Sequence, residues 1–322
     1  MKRRALLLTP IATPALAQAE WRPDRALRII VPFPAGGSAD VQSRLIAEPL
    51  AQALGQPVVI ENRPGAGGTI GATEAARAAP DGLTLFMATT GTHSANPWLY
   101  PRLAYDPVAD FAPITLVSDY AQCIAIGADW PAPPARNFAG LIAGLRAEPA
   151  RGLYGSSGNG SPTHLAGEMF AHAMGLRLEH VPYRGQGPAL NDLIGGRLSL
   201  MFPSISDVLG QLRGGRVVAV ATMARERHSA IPKMPTTAEL GHPNLISSIY
   251  SALYTRAGSP PAAIARLNLE ITRILNAPAT RQRLGDAGFG VLPGTPEELA
   301  RFQAAETARW GEVIRLSGAK AD

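Results

Sequence analysis

The chain has 322 residues, 33 of them glycine and 29 proline, and a formal net charge of +5. That length exceeds what one hydrophobic core usually serves, so two domains are expected, and the scattered glycines and prolines imply many tight turns. Three of the positive charges, Lys2, Arg3 and Arg4, precede Ala17; without them the balance is +2 with no basic stripe, which argues against a nucleic-acid partner and allows a small anion.

Lys2-Arg3-Arg4, a mostly apolar stretch from Ala5 to Ala15, and the small residues of Ala15-Leu16-Ala17 have the layout of a secretory signal peptide, 1–17, cut after Ala17. Pro10 and Pro14 in so short a stretch do not suit a membrane span, and no later run is long and apolar enough. The mature chain is therefore expected to be soluble in the periplasm. Cys123 is the only cysteine, so no internal disulfide forms; within the apolar run Cys123-Ile124-Ala125-Ile126 it reads as a buried structural thiol.

The organising stretch is Leu27 to Leu54. Arg28-Ile29-Ile30-Val31 suits a buried strand, which Pro32 and Pro34 end. Gly36-Gly37 make a turn, and Ser38 is the expected N-cap of a helix striped by Val41, Leu45 and Leu50. Pro49 is expected to kink or break that helix past its start. The N–H groups of Gly37, Ser38, Ala39 and Asp40, with the positive end of the helix dipole, would make an anion site.

A second strand is read at Pro57–Asn62. Arg63-Pro64-Gly65-Ala66-Gly67-Gly68-Thr69-Ile70-Gly71 then opens a helix over Ala72 to Ala79. Ile70 stands where the third glycine of a dinucleotide fingerprint belongs, so these glycines read as close-packing or ligand-contact positions. Leu83 to Ala88 is a third strand ending in Thr89-Thr90-Gly91-Thr92-His93, with His93 read as a polar loop residue. Asn96 to Phe111 reads as a packed loop, Thr115–Val117 and Ala121–Ile126 as strands crossing to a second domain, and Trp130–Pro134 as a stiff connector before a helix capped by Asn137.

In the second domain Gly152–Tyr154, the turn Gly155–Ser161 and a helix from Thr163 to Met174 repeat the strand, glycine turn and helix of the first. A strand at His180–Tyr183 precedes Arg184-Gly185-Gln186-Gly187. A helix over Pro188–Ile194 comes next, then a strand at Leu198–Phe202, the loop Pro203–Asp207 and a strand at Val217–Thr222. Ile249–Tyr254 crosses back, and helices follow at Ala262–Leu275, Thr280–Leu284 and Pro296–Ile314. This alternation implies βαβ units with mainly parallel sheets.

The stretches PFPAGGSADVQSRLIAEPLAQALGQPVVIENRPGAGGTIGATEAARAAPDGLTLFMATTGTHSANPWLY, YGSSGNGSPTHLAGEMF, HVPYRGQGPALNDLIGGRLSLMF, AVATMARERHSAIPKMPTTAELG and GTPEELARFQAAETARWGEVI together cover nearly the whole mature chain. They closely resemble the tripartite tricarboxylate transporter substrate-binding receptors, also called Bug receptors. The resemblance implies a type II periplasmic-binding-protein-like fold, α/β, with two lobes around a ligand cleft: lobe 1 from 25–122 plus 251–322, lobe 2 from 123–250. It implies no enzyme activity and no cofactor. The partners it implies are a small carboxylate ligand and membrane transporter subunits, for a chain expected to be a monomer.

Carried onto this chain, the resemblance places Phe33, Ala35, Gly36, Gly37, Ser38 and Asp40 at the ligand's anchoring carboxylate. Thr89, Thr90 and Thr92 join from the third strand's loop. The opposite lobe offers Ser156, Gly158, Asn159, His164, Tyr183, Arg184, Gly185 and Asp207. Pro203 stands where the family often has an acid. Two rival readings remain: an exported serine hydrolase built on Ser156 or Ser157 with His164 and Asp207, and a nucleotide-binding protein using Gly65–Gly71. Asn159 breaks the G-x-S-x-G pattern of the first, and the second lacks a phosphate-binding lysine after its loop.

Overall fold

A computed structural model describes residues 21–129, 136–228 and 230–317. The expected signal peptide and the Trp130–Pro134 connector lie outside the described residues. In chain order the first part comprises β1 (Leu27–Val31), α1 (Ser38–Leu54), β2 (Val58–Asn62), α2 (Thr69–Ala76), β3 (Thr84–Thr89), α3 (Asn96–Leu99) and β4 (Phe111–Ala121). The middle holds β5 (Cys123–Gly127), α4 (Phe138–Ala147), β6 (Leu153–Ser156), α5 (Pro162–Met174), β7 (Glu179–Pro182), α6 (Gln186–Ile194), β8 (Leu200–Met201), α7 (Ile205–Arg213) and β9 (Val217–Thr222). The chain ends with β10 (Ser248–Arg256), α8 (Pro261–Asn276), α9 (Pro278–Asp286), β11 (Gly290–Val291) and α10 (Pro296–Ser317).

Two sheets result, ordered β11-β4-β10-β3-β1-β2 and β7-β6-β8-β5-β9. The two-lobed α/β expectation stands, but the pairing is mixed rather than mainly parallel. β1 runs parallel to β2 and β3, and β6 to β7 and β8. β10 is antiparallel to β3 and β4, and β5 to β8 and β9. The cause is the crossing of the chain: strands that arrive from the other lobe enter against the local direction, which alternation in the sequence does not reveal.

β4 ends in the first sheet at Ala121, β5 starts in the second at Cys123, and β10 returns at Ser248. Gln122, between them, ties the crossing together. Its side chain donates to Phe202 O (2.6 Å) and accepts from Ser247 Oγ (2.5 Å), while its N–H donates to Ser247 O.

The central strands read as continuous apolar runs because both faces are covered. β1 and β3 pack under α1 and α8 on one side, through Ile29, Val31, Leu85, Met87, Ile46 and Ile271. Ile30 and Phe86 meet α2 and Leu299 of α10 on the other. Each such aliphatic side chain contributes roughly 1.5–3 kcal/mol by leaving water. In the second sheet α4 and α5 cover one face and α6 and α7 the other.

Pro49 does not break α1, which runs on to a left-handed Gly55. Ile46 and Leu50, flanking the proline, are fully buried, and that packing offsets the hydrogen bond Pro49 cannot make. His93 is not a polar loop residue. It is fully buried in a π-helical turn, its ring 4.3 Å from that of Tyr254 and 4.7 Å from that of Phe111. Nor is Pro203–Asp207 a loop throughout: Asp207 lies in the first turn of α7, whose Ile205, Val208 and Leu209 face the core at helical spacing.

Candidate functional site

The parallel strands of both lobes end at one cleft. In open α/β sheets the carboxyl ends of strands are where ligands bind. The segment after β1 brings Phe33, Pro34, Ala35, Gly36, Gly37, Ser38 and Ala39; β3 ends there in Thr89; Tyr120 and Ile249 come from the crossing strands. From the other lobe come Ser157 after β6, Pro162 and Thr163 of α5, Gly185 to Pro188 after β7, and Ser204 and Asp207 after β8. They enclose a chamber of about 270 Å³, a volume suited to a small organic molecule. A second hollow of about 200 Å³ adjoins it, sharing Phe33, Pro34, Ser157 and Gly185.

The turn after β1 is held from within. Asp40 is buried, and its carboxylate accepts from Gly36 N–H (2.9 Å), Arg44 Nε (2.9 Å) and Asn62 Nδ2 (3.0 Å). Burial works to raise its pKa, but the bonds from Arg44, Gly36 and Asn62 outweigh it and hold the carboxyl below its usual range. Asn62 Nδ2 also donates to Phe33 O, and Gly36 takes a left-handed φ of 85°. Asp40 therefore shapes the turn and does not line the chamber.

Ser38 is not the N-cap of α1. Gly37 fills that position with no side-chain bond, and Ser38 is the first helical residue. Its hydroxyl is thereby freed to cross the cleft, donating to Asp207 Oδ1 (2.5 Å) and lying 3.1 and 3.0 Å from Ser204 Oγ and Ser206 Oγ. Ser204 Oγ donates to Asp207 Oδ2 at 2.6 Å. Burial raises the Asp207 pKa, against the opposing bonds from Ser204 and Ser38. The N–H groups of Ala39 and Asp40, in the first turn of α1, have no carbonyl one turn back within the helix.

Of the residues expected at the ligand, Phe33, Ala35, Gly36, Gly37, Ser38, Thr89, Gly185 and Asp207 line the chamber. Gly158, Asn159, Tyr183 and Arg184 line the adjoining hollow, with Arg184 exposed. Thr90, Thr92, Ser156 and His164 line neither. Thr90 Oγ1 accepts from Tyr250 N–H, and Thr92 Oγ1 closes on Thr89 N and O. Ser157, expected only in the hydrolase reading, and Thr163, Gln186 and Ser204, not expected at the site, also line the chamber, though as strand-end or helix-start polar residues they follow the same rule. Tyr120 and Ile249 carry no local signal because the crossing strands bring them in. Thr89 Oγ1 is buried at the chamber's edge without a hydrogen-bond partner.

The triad reading is not formed. Ser156 Oγ lies 2.6 Å from His180 Nε2, Ser157 Oγ lies 3.1 Å from Thr163 Oγ1, and Asp207 is engaged by Ser38 and Ser204. His164 accepts from Gly160 N–H through Nδ1 and stacks on His180, ring centroids 3.9 Å apart. Burial holds His164 at about 3, with a further lowering from His180, and His180 at about 4. The glycine loop 65–71 packs closely, Gly71 against Pro32 and the Arg63 carbonyl and Gly67 against Asn159 of the other lobe, while Gly65 to Gly68 line the adjoining hollow.

These neutral imidazoles set a pH dependence. In the unfolded chain they take up protons below about 6.5; in the fold they do not until about 3 to 4. Stability should therefore be intact above pH 6.5 and fall as the pH drops towards 3. At pH 5 the loss is about 2 kcal/mol for each of the buried His93 and His164. Thermal melts at pH 7.5 and 5.0 should show the drop, smaller in His164→Gln; equal melting temperatures would contradict it.

Residues 42–318 match the family described as tripartite tricarboxylate transporter family receptor. The chain is 35% identical over 314 residues to Protein BugT of Bordetella pertussis, covering 96% of this chain and 95% of that protein. The fold is similar to that of R. palustris Rpa4515 with adipate (TM-score 0.89, 31% identity, 92% of this chain and 99% of that one). It is also similar to MatC from Rhodopseudomonas palustris with bound malate (TM-score 0.85, 33% identity, 91% and 99%).

Proposed function

Because the chain belongs to the periplasmic solute-binding receptors of the tripartite tricarboxylate transporter family, we propose that it captures a small carboxylate between its lobes and hands it to transporter subunits in the membrane. The observation that carries this reading is the chamber itself. It lies at strand ends of both lobes, against the N-terminus of a helix of 17 residues. A carboxylate there is stabilised by first-turn amides and by the helix dipole. Similar proteins hold adipate and malate. Export through a leader at 1–17 belongs to the same reading, and no helix among the described residues is long and apolar enough to cross a membrane.

Purified ligand-free protein should melt higher in the presence of its carboxylate, by about 2.7 kcal/mol of stabilisation at a hundred times Kd. A carboxylate panel that produces no shift in melting temperature or heat of binding would overturn the reading. Gly37→Val isolates the anchor. Gly37 has a φ of −78°, and an added Cβ meets only Pro34 O at 3.5 Å, so the fold should tolerate the change. The branched side chain would bar the ligand from the amides, lowering affinity by about a hundredfold. Equal affinity in variant and parent would remove this turn from the site.

A further inference from the structure

Among the described residues, Asp207 is the only carboxylate that lines the chamber, and no lysine, arginine or histidine lines it. A plain dicarboxylate would thus enter beside a negative charge with no cation to offset it. The hydroxyl protons of Ser38 and Ser204 are both committed to Asp207, at 2.5 and 2.6 Å. The Ser38 hydroxyl therefore has lone pairs, not a proton, left for a ligand, while Ser204 is fully buried and its Oγ accepts from Ser206 Oγ. The result is two corners of opposite character. The start of α1 offers the amides of Ala39 and Asp40 as donors, the Ser38 N–H being held by Asp207, and beside it Asp207 and Ser38 offer acceptors. Phe33, Pro162, Pro188, Leu190 and Ile249 add apolar surface, and Thr89, Tyr120, Ser157, Thr163 and Gln186 are the remaining polar side chains of the lining.

Resting on the receptor reading above, we propose that Asp207 is a specificity-determining residue, selecting a carboxylate that carries an ammonium group on the adjacent carbon, that is, a 2-amino acid zwitterion. The amides of α1 take its carboxylate, and Asp207 accepts from its ammonium. A carboxylate has about four acceptor sites, and the three bonds from Ser204 Oγ, Ser38 Oγ and Ser38 N–H leave one for that donor. The zwitterion is neutral overall, which suits a chamber with one negative side chain. Burial, which pushes the Asp207 pKa up, adds to the demand for a cationic neighbour.

The test compares ligands that differ only in the group next to the carboxylate. Calorimetry on ligand-free protein would use L-leucine, its 2-hydroxy analogue and 4-methylpentanoate, with L-glutamate against glutarate as a second series. The amino acid should bind about tenfold or more tightly than the unsubstituted acid in at least one series, with the hydroxy acid between. In Asp207→Asn that ratio should shrink to about threefold or less, because the neutral amide no longer attracts the ammonium. The inference falls if glutarate and 4-methylpentanoate both match their amino counterparts, or if D207N leaves the ratio unchanged. In those cases the receptor reading survives, since a carboxylate has bound. Should D207N fail to fold, the wild-type ratios decide alone. If neither these compounds nor adipate, malate or succinate bind, both readings fail.

Discussion

Replacing Trp310 by alanine is expected to cost about 3–5 kcal/mol, the usual penalty for emptying a buried aromatic site. Trp310 is fully buried on α10, in a cluster with Ala95 and Leu99 from the first lobe and Leu165 of α5 from the second. Its Nε1 donates to Glu306 Oε2 at 3.1 Å, and the Arg309 guanidinium lies 4.7 Å from the ring centroid. The substitution therefore leaves a cavity where α10 spans both lobes and removes a donor from a partly buried carboxylate. A fall in melting temperature of roughly 10 °C should follow for a chain of this size. Trp310→Phe should recover more than half of the loss. A Trp310→Ala variant within 1 kcal/mol of the parent in a denaturant titration would show, against about 3 kcal/mol expected, that α10 does not hold the lobes together.

Gly67→Val should weaken ligand binding by about a hundredfold or more, because affinity depends on both halves of the cleft meeting the ligand together. Gly67 has a φ of 61°, and a Cβ there would lie 2.7 Å from Asn159 O and 2.8 Å from the Tyr100 hydroxyl. Tyr100 itself donates across the cleft to Asn159 O at 3.3 Å. A branched side chain would wedge the lobes apart at that point. The left-handed backbone alone costs about 1–2 kcal/mol, and Gly175→Ala controls for it. Gly175 has a φ of 60° with nothing within 4 Å of an added Cβ, at the far end of α5. The control should lose stability without losing affinity. Calorimetry showing G67V as tight a binder as its parent would mean that the lobes need not meet at Asn159.

Much of the candidate chamber's lining was legible because one local rule produces it. A short apolar strand, a glycine turn and a helix start place backbone amides at a strand's carboxyl end, and that pattern stands openly at 28–40. Repeated after β6, β7 and β8, it brought Gly185 and Asp207 to the chamber beside Phe33 to Ser38. The rule says nothing of where polar side chains turn. Asp40 and Thr92 stand in the right segments, yet their oxygens close on their own turns, at Gly36 N–H and Thr89 N–H. Ser38 looks like a cap by residue type, and it crosses the cleft only because Gly37 takes the cap position and Ser204, Ser206 and Asp207 come within reach.

The order of elements, the buried central strands and the anion-favouring helix start were determined by the sequence alone, because each depends on neighbours within a few residues. Strand direction beyond the βαβ units, the burial of His93 against Phe111 and Tyr254, and the union of Ser38 with Asp207 were decided only by the tertiary structure. Those features join residues as far apart as Leu85 and Thr255 in strand pairing and Ser38 and Asp207 across the cleft. Contacts of that separation depend on how two sheets pack and how the chain crosses between them, and no local pattern of residues encodes it.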